Sequence, residues 1–428
     1  MNYYPTLLTL GAPEKHPMAD RLQLFTIADT QVITDLSYRE GDSCFFFPVE
    51  CVIHPTILKH LNLYSDADLN AVKTKKGYID KNGRVRATKL RGVFSGGLLL
   101  HLHSVQDALN THEVPPFGEV EKFAGVELST KYEPPVYLPK QQRDTPKAKP
   151  VENSIVPGYF SLQPDTPNVI KSPFIKPGST YIVTEKLHGS NAAIGCPIVR
   201  KKLKWYEKVL AFLKIGKFFG VQEQERKIVH ASRHIIKTFA KGAGFYGQDI
   251  WAEALKYWIY PGAEKTWPEN LVLYGEIVGK TSSGRWIQKG YDYDALMDPG
   301  ETIKFIAFRG VYMAPGKEVE LSWEELVDVC TDLGIKVVPR VGTLYIDNGY
   351  GLTFKSDSGE RGYYKNLAAF KARLEGNCTY CRARVPREGV VLTLCGSATP
   401  GQKNTKLKTD GFLERETRNL DNGISSDS

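Results

Sequence analysis

The 428-residue sequence predicts strands and helices arranged in two modules, a small β-rich module followed by a larger one. Short apolar runs of strand length occupy the first 130 residues. A segment rich in Pro, Lys and Gln follows them, which is typical of an extended linker. Beyond it, apolar strands alternate with helical patterns. We therefore place the N-terminal module at residues 1–132, the linker at 133–160 and the larger module at 161–428.

The N-terminal module contains strand-like runs at residues 22–27, 43–48 and 99–103. Asn82-Gly83 suits the type I′ turn of a β-hairpin. In the arm after this turn, Arg84 and Arg86 share one face, because side chains repeat every two residues. These features fit a small β-barrel with a basic stripe, of the kind that binds nucleic acid or phosphates. A hairpin edge protected by charge is the alternative.

The larger module has clear strand patterns at residues 181–184, 271–274, 302–308 and 389–394. Ser322 begins a helix, because Glu325 completes a capping box and Gly334 ends the pattern. The polar segment after Arg415 is expected to be frayed.

Length and composition favour a protein with two or three complete domain cores. No apolar run reaches the ~20 residues of a membrane span. The N-terminus lacks the pattern of a secretion signal, and seven Cys in a chain of this length are typical of reduced thiols. We therefore expect a cytoplasmic protein without membrane contact, and the sequence implies no protein partner.

The formal charge is +8, and residues 200–227 hold nine Lys or Arg against three Glu. Such a surface favours a polyanion such as RNA or DNA, although a solvated charged face explains the charge equally well. The spacing of Leu203, Tyr206, Leu210 and Leu213 predicts an amphipathic helix that docks on the core with a basic outer face.

Lys186 lies in the stretch TEKLHGSN, at the end of an apolar run and just before a tight turn. A lysine is a nucleophile only when neutral, so its pKa must be lowered by burial or by nearby cations. A strand end in a cleft provides burial, and Gly189 permits close approach to a ligand. The spacing KxxG alone occurs by chance in any long protein.

Further candidate residues follow in order. Glu276 ends an apolar strand, where a carboxylate accepts hydrogen bonds from ribose hydroxyls. Phe308 is placed to stack on a base, and Glu388 directly precedes a β-rich run. Lys406 and Lys408 share one face of a strand, and two lysines that face a cleft can bind a triphosphate and lower the pKa of a neighbouring lysine. Each residue alone also suits a structural role, but the ordered set favours chemistry.

This ordered set resembles the covalent nucleotidyltransferases, the superfamily of polynucleotide ligases and RNA capping enzymes, over about residues 170–412. The motif EKLHGSN is most similar to that of RNA ligases. The resemblance implies an α+β, antiparallel-sheet-rich, ATP-grasp-like ligase fold. Only 20 residues follow Lys408, too few for the C-terminal OB domain of DNA ligases and capping enzymes. The N-terminal module instead resembles the OB-like domain of the Deinococcus and Naegleria type of RNA ligase.

The resemblance also implies roles. Lys186 would attack the α-phosphorus of ATP and carry AMP, Gly189 would close the pocket, Glu276 would bind ribose, and Phe308 would sandwich adenine. Glu388 would place Mg²⁺ or Mn²⁺. The further nucleotide-binding residues would be Glu185, His188, Asn191, Arg233, Lys406 and Lys408.

The resulting hypothesis is an ATP-dependent RNA ligase that seals 3′-OH and 5′-phosphate ends, with RNA as its partner. A nicked duplex, a broken loop and free ends are all compatible with the sequence as forms of that RNA. The alternatives are a GTP-dependent capping guanylyltransferase and a catalytically inactive nucleic-acid-binding homologue. One departure concerns Arg309, which stands where many ligases carry Asp.

Two other motifs give little support for a function. GAGFYG at 242–247 follows no predicted strand, which argues against a dinucleotide fingerprint. Cys378, Cys381 and Cys395 offer three thiols, whereas a structural zinc needs four ligands.

Overall fold

A computed structural model describes residues 3–134, 154–172, 175–201, 203–213, 221–237, 249–259, 262–349, 351–396 and 403–422. Most of the predicted linker and the motif GAGFYG lie outside these residues. The described part is rich in antiparallel sheets with seven α-helices beside them, so the α+β prediction is confirmed.

The N-terminal module contains two helices, α1 (Pro55–His60) and α2 (Leu102–Leu109). Its strands are β1 (Thr6–Thr9), β2 (Glu14–Lys15), β3 (Leu22–Ile27), β4 (Thr30–Asp35), β5 (Ser43–Pro48), β6 (Cys51–Ile53), β7 (Thr88–Leu90), β8 (Val93–Ser95), β9 (Gly97–His101), β10 (Gly118–Glu119), β11 (Lys122–Phe123), β12 (Val126–Glu127) and β13 (Ser129–Lys131).

Strand β5 is central to this module because both of its faces are buried. It pairs with β1 and β9, and β10 extends the sheet beyond β1. Phe45 and Phe47 face a core that includes α1 and α2, whereas Cys44 and Phe46 face a second core shared with β3 and β4. Side-chain alternation along one strand therefore fills two apolar layers.

The predicted hairpin at Asn82-Gly83 is wrong. The chain does turn there, but the residues after it bridge to β6, with Arg84 opposite Val52. The hairpin instead joins β7 to β8 through Arg91-Gly92, where both residues have positive φ. Arg84 is also buried, so the predicted exposed basic stripe does not exist at that position.

The larger module has five helices, α3 (Trp205–Phe212), α4 (Ile250–Ala254), α5 (Trp323–Asp332), α6 (Leu367–Arg373) and α7 (Asp410–Asp421). Its strands are β14 (Thr180–Glu185), β15 (Ser190–Gly195), β16 (Ile198–Arg200), β17 (Gln224–Arg226), β18 (Val229–Ala231), β19 (Ile236–Lys237), β20 (Leu271–Gly279), β21 (Ile303–Ala314), β22 (Lys317–Glu320), β23 (Lys336–Val337), β24 (Arg340–Ile346), β25 (Leu352–Ser356), β26 (Arg361–Tyr364), β27 (Gly389–Leu394) and β28 (Asn404–Lys408).

Two sheets form the frame of this module. The first has the order β26-β25-β24-β14-β27-β28, and α6 covers it with Phe370 in the core. The second has the order β19-β18-β15-β20-β21-β22, with β23 added parallel to β21. Helices α4 and α5 cover this second sheet through Trp251 and Leu326. The four strands predicted for this module are confirmed, although β20 and β21 run further than expected.

Helix α5 was predicted from the sequence, whereas α7 was not. The capping box of Ser322 and Glu325 begins α5 as predicted. Residues 416–421 of the polar C-terminal segment are not frayed, because they belong to α7, whose cap Thr409 accepts a hydrogen bond from the backbone N–H of Phe412. Residues 423–428 lie outside the described ranges. Phe412 and Leu420 are buried on one side of α7. Docking of these few apolar side chains therefore orders a segment of low apolar content.

Helix α3 does not dock as predicted. Tyr206 and Leu213, two of the residues expected to face the core, are exposed. Of the helices in the described ranges, none has the length and apolar character required to cross a membrane.

Candidate active site

The stretch from Lys186 to Gly189 is the connection between the two sheets. Strand β14 lies inside the first sheet and β15 inside the second. Position 189 requires glycine because the chain passes close to β20. A Cβ at this position would lie 2.4 Å from the carbonyl oxygen of Ile277 on that strand. The chain therefore crosses tightly against β20, and Lys186 lies where the two sheets meet.

A cleft of about 870 Å³, including solvent at its mouth, opens beside Lys186. The first sheet contributes Lys186 and Lys406, and the second contributes Glu276 and Phe308. The other polar residues that line it are Gln163, Asp165, Thr166, Thr184, Glu185, Asn191, Arg233, Thr393 and Asn404.

Phe308 reaches the wall of the cleft through a β-bulge. The register between β20 and β21 shifts between Tyr274 and Gly275, which leaves Phe308 as the extra residue. A bulge re-aims the side chains of its strand. The neighbouring Arg309 is buried, lies over the ring of Tyr274 and pairs with Glu320 at 3.2 Å. Arg309 therefore holds strands together and does not replace an acid in the cleft.

Two buried acceptor atoms on the second sheet have no hydrogen-bond donor among the described residues. Asn191 and Glu276 are directly opposite each other on β15 and β20. Among the described residues, neither Oδ1 of Asn191 nor Oε2 of Glu276 has a hydrogen-bond partner, although both atoms are buried. Burial raises the pKa of Glu276 to about 8, against a smaller lowering by the charge of Lys186. Such acceptors suit the hydroxyl groups of a ligand.

Glu388 precedes β27 and directly contacts the candidate nucleophile. Its Oε1 lies 2.6 Å from Nζ of Lys186, and its Oε2 lies 3.5 Å from Nδ1 of His188. Burial by itself would raise the pKa of Glu388, but the charge of Lys186 and the contact with His188 hold it well below its usual range. The carboxylate is therefore ionised and already holds a cationic group.

The two lysines of β28 have different surroundings. Lys406 lines the cleft, and burial together with the charges of Lys408 and Lys186 lowers its pKa to about 7. Lys408 pairs with Glu416 of α7 at 3.0 Å and lies over the ring of Phe412. Burial would lower the pKa of Lys408, but the charge of Glu416 raises it above its ordinary value. The prediction that both lysines face one cleft is therefore met by Lys406 only.

His188 and Gly189 lie beside the cleft but not among the residues that line it, whereas Glu185 lines it with a carboxylate that is already paired. The Nε–H of Arg387 is shared between both carboxylate oxygens of Glu185 at 2.9 Å, and Nη2 of Arg387 donates to Oε2. The ring of His188 packs edge-on against Phe412 at 4.9 Å between ring centroids, and Tyr291 packs against it in the same way. Glu185 and His188 thus position neighbouring groups in this structure.

Arg233 follows β18 and forms an ion pair with Asp165 at the mouth of the cleft. Gln163 of the same wall accepts a hydrogen bond from Arg309 at 3.0 Å. Sequence reasoning missed this wall, because residues 163–166 belong to a Pro-rich segment without periodicity. It also missed Arg387, although that residue directly precedes the glutamate of the EGVV motif.

The cysteines lie apart from the cleft. Cys378 is buried, whereas Cys395 is exposed. A hydrogen bond with Cys381 lowers the pKa of Cys378. Within the described ranges, His, Cys, Asp and Glu form no group of three that could hold a metal ion.

The sequence matches the RNA ligase family over residues 179–407, which is more than half of the chain. The protein therefore belongs to the RNA ligase family, and the predicted resemblance is confirmed. No curated protein matches the sequence.

Solved structures show the same fold. Naegleria gruberi RNA ligase with PPi has a TM-score of 0.60 at 17% identity, covering 98% of this chain and 100% of that one. A mutant of that ligase with ATP and Mn has a TM-score of 0.58 at 18% identity, covering 97% and 98%. Another mutant with AMP and Mn has a TM-score of 0.59 at 17% identity, covering 96% and 98%.

Proposed function

We propose that this protein is an ATP-dependent RNA ligase that joins a 3′-OH to a 5′-phosphate through a lysyl-AMP intermediate. The observation that carries the proposal is the position of Lys186, at the junction of two sheets and in one cleft with Glu276, Phe308 and Lys406. The similar Naegleria structures with ATP, AMP and Mn support ATP and a divalent metal as cofactors.

In the proposed first step, ATP occupies the cleft with its base against Phe308. The ribose hydroxyls donate to the open acceptors of Glu276 and Asn191. Lys406 and Arg233 neutralise the phosphates, which is the main requirement of phosphoryl transfer. The ammonium group of Lys186 first releases a proton to solvent, and the neutral amine then attacks the α-phosphorus. A P–N bond forms, the bond between the α-phosphorus and the bridging oxygen breaks, pyrophosphate leaves, and Nζ releases a second proton to solvent.

Glu388 is the residue that fits a divalent metal. Its ionised carboxylate already holds the ammonium group of Lys186 at 2.6 Å, and one carboxylate together with substrate phosphates is the usual donor set for Mg²⁺. When bound, the metal would neutralise charge on the phosphates.

In the proposed later steps, an oxygen of the RNA 5′-phosphate attacks the AMP phosphorus and the P–N bond breaks. Lys186 is released, and the RNA carries a 5′–5′ pyrophosphate linkage to AMP. The 3′-OH of the second end then attacks the RNA 5′-phosphorus, AMP leaves and a phosphodiester remains. Lys406 keeps its position on β28 for the phosphates of each step.

We extend the proposal to the domains. Residues 1–132 would form an OB-like domain, 133–160 a linker and 161–428 the catalytic domain. The support is that β1–β13 form small antiparallel sheets with apolar cores of their own. The OB-like domain would contact RNA beyond the ends that are joined.

The first test is protein labelling with α-³²P-ATP and Mg²⁺ or Mn²⁺. Wild-type protein and Lys355→Ala, a change of an exposed lysine on β25, should retain the label. Lys186→Ala should not. Label that survives in Lys186→Ala would overturn the proposal. Labelling by α-³²P-GTP in place of ATP would favour a capping guanylyltransferase, and RNA binding without any label would favour an inactive homologue.

The second test defines the ends. Nicked duplexes, broken loops and free single strands, with RNA or DNA on each side, should separate the possible substrates. Sealing of a 3′-OH and 5′-phosphate by wild-type protein but not by Lys186→Ala is the expected result.

A further inference from the structure

Helix α3 exposes large apolar side chains. Trp205 is 78% exposed and Phe212 is 86% exposed, and Val209 and Leu213 beside them are also exposed. Single exposed apolar residues are ordinary, but a contiguous apolar patch marks an interaction surface. We call Trp205, Val209, Phe212 and Leu213 the α3 stripe.

The α3 stripe follows one side of the helix. At about 100° per residue, Trp205, Val209 and Phe212 lie within about 60° of one another. Lys204 and Lys208 lie along the border of this stripe by the same spacing. The carboxylate of Glu207 accepts a hydrogen bond from the backbone N–H of Lys204 at 2.7 Å and so begins the helix. The helix is therefore amphipathic with its apolar side toward solvent.

The segment that contains the α3 stripe also carries a net positive charge. Residues 200–227 carry nine basic against three acidic residues, so an anionic partner is favoured. An apolar stripe bordered by lysines, with a Trp on the apolar side, is the pattern of helices that lie in a membrane interface. Trp side chains prefer that interface because one part of the ring system is apolar and the N–H is polar.

We propose that the α3 stripe docks this protein on the surface of an anionic lipid membrane. The helix is too short and too charged to cross a bilayer, so it would lie in the plane of the interface. Lys204 and Lys208 would contact lipid phosphates while Trp205 and Phe212 enter the acyl boundary. This differs from the expectation of no membrane contact drawn from the sequence.

RNA fits this surface less well. Aromatic side chains stack on bases and lysines bind phosphates, so Trp205 and Phe212 alone would suit RNA. Val209 and Leu213 have no stacking partner in RNA, whereas all four residues of the stripe lose water on entering a bilayer. No described residue that lines the cleft comes from α3, so docking leaves the cleft accessible.

Sedimentation of the full-length protein with vesicles tests the proposal. Wild-type protein should bind phosphatidylserine-containing vesicles and bind pure phosphatidylcholine vesicles much more weakly, and added salt should reduce binding. The double variant Trp205→Ser and Phe212→Ser should weaken binding by about tenfold or more. Lys204→Glu with Lys208→Glu should remove the preference for anionic lipid. Tyr363→Ser is the matched control, because Tyr363 is also 78% exposed but lies on β26.

The outcomes are separable from those of the ligase tests. Protein labelling by ATP should be unchanged in the Trp205 and Phe212 double variant, which also shows that the variant is folded. Absence of binding to anionic vesicles by wild-type protein overturns the proposal. Equal binding by the double variant and by Tyr363→Ser overturns it as well. Loss of RNA binding in the double variant, without any vesicle binding by wild-type protein, would assign the stripe to RNA.

Discussion

Arg84 is the side chain whose removal should most weaken the contact between the N-terminal module and α7. Its Nε donates to Glu50 at 2.6 Å, its Nη1 donates to Asp421 at 2.8 Å, and its Nη2 donates to the carbonyl oxygen of Thr417 at 3.2 Å. The hydroxyl group of Thr417 donates to the other oxygen of Glu50 at 2.6 Å. The side chain of Arg84 is 0% exposed, so these bonds form away from water.

Arg84→Ala should lower the free energy of unfolding by about 3–5 kcal/mol, because it leaves the buried carboxylate of Glu50 without its cation. Arg86 provides the comparison. It also pairs with Asp421, but its side chain is 36% exposed. Arg86→Ala should therefore cost at most about 1 kcal/mol. The difference between the two variants follows from burial and not from the number of ion pairs.

Denaturant unfolding followed by circular dichroism, with α-³²P-ATP labelling in parallel, measures both effects. Equal loss of stability in Arg84→Ala and Arg86→Ala would refute the reasoning. The double variant Arg84→Met and Glu50→Met removes both charges and should recover most of the stability lost in Arg84→Ala. Failure to recover would show that the hydrogen bonds to α7 matter more than the unpaired carboxylate.

Three further predictions concern the cleft. Gly189→Ala should lower stability by about 1–3 kcal/mol and reduce labelling by ATP, because its Cβ would meet the backbone of Ile277, whereas Gly11→Ala should be neutral since nothing lies within 4 Å. At a pH about one unit above the pKa of Lys406, ATP binding should be accompanied by uptake of a proton, because the phosphates favour the ammonium form of the lysine. Calorimetry in buffers of different ionisation enthalpy should detect this proton uptake, and Lys406→Arg should abolish it. The pKa of Glu276 is raised from 4.5 to about 8, so its stabilising effect is complete below pH 4.5 and is lost as the pH rises through 8. The free energy of unfolding of Glu276→Gln should not show this decrease across the same pH range. Identical pH profiles of stability for the wild-type protein and the variant would contradict the prediction.

The sequence predicted the groups of the cleft better than their contacts. Lys186, Glu276, Phe308 and Lys406 all line it. The first three belong to strongly apolar strands or their ends, where local patterns are informative, and Lys406 was placed by the two-residue repeat of its strand. Their roles in catalysis stay predictions.

Contacts between distant segments were not predictable in the same way. Lys408 was expected in the cleft, but Glu416 of α7 holds it. Helix α7 itself has too few apolar residues for a periodic signal, and it is ordered by docking of Phe412 and Leu420. Likewise Arg84 follows a good turn sequence, yet its partners on α7, Asp421 and Thr417, are 337 and 333 positions away. Local propensity gives no information about such partners.

The bonds between Arg84 and α7 have a kinetic consequence. They join residues 337 and 333 positions apart, and the bond from Thr417 to Glu50 spans 367 positions. Contacts of such high sequence separation form late, because the loop they close carries a large entropy cost until the intervening segments are folded. Docking of α7 is therefore expected as the last step of refolding, and Lys408 at the end of β28 acquires its native contacts with Glu416 and Phe412 only then.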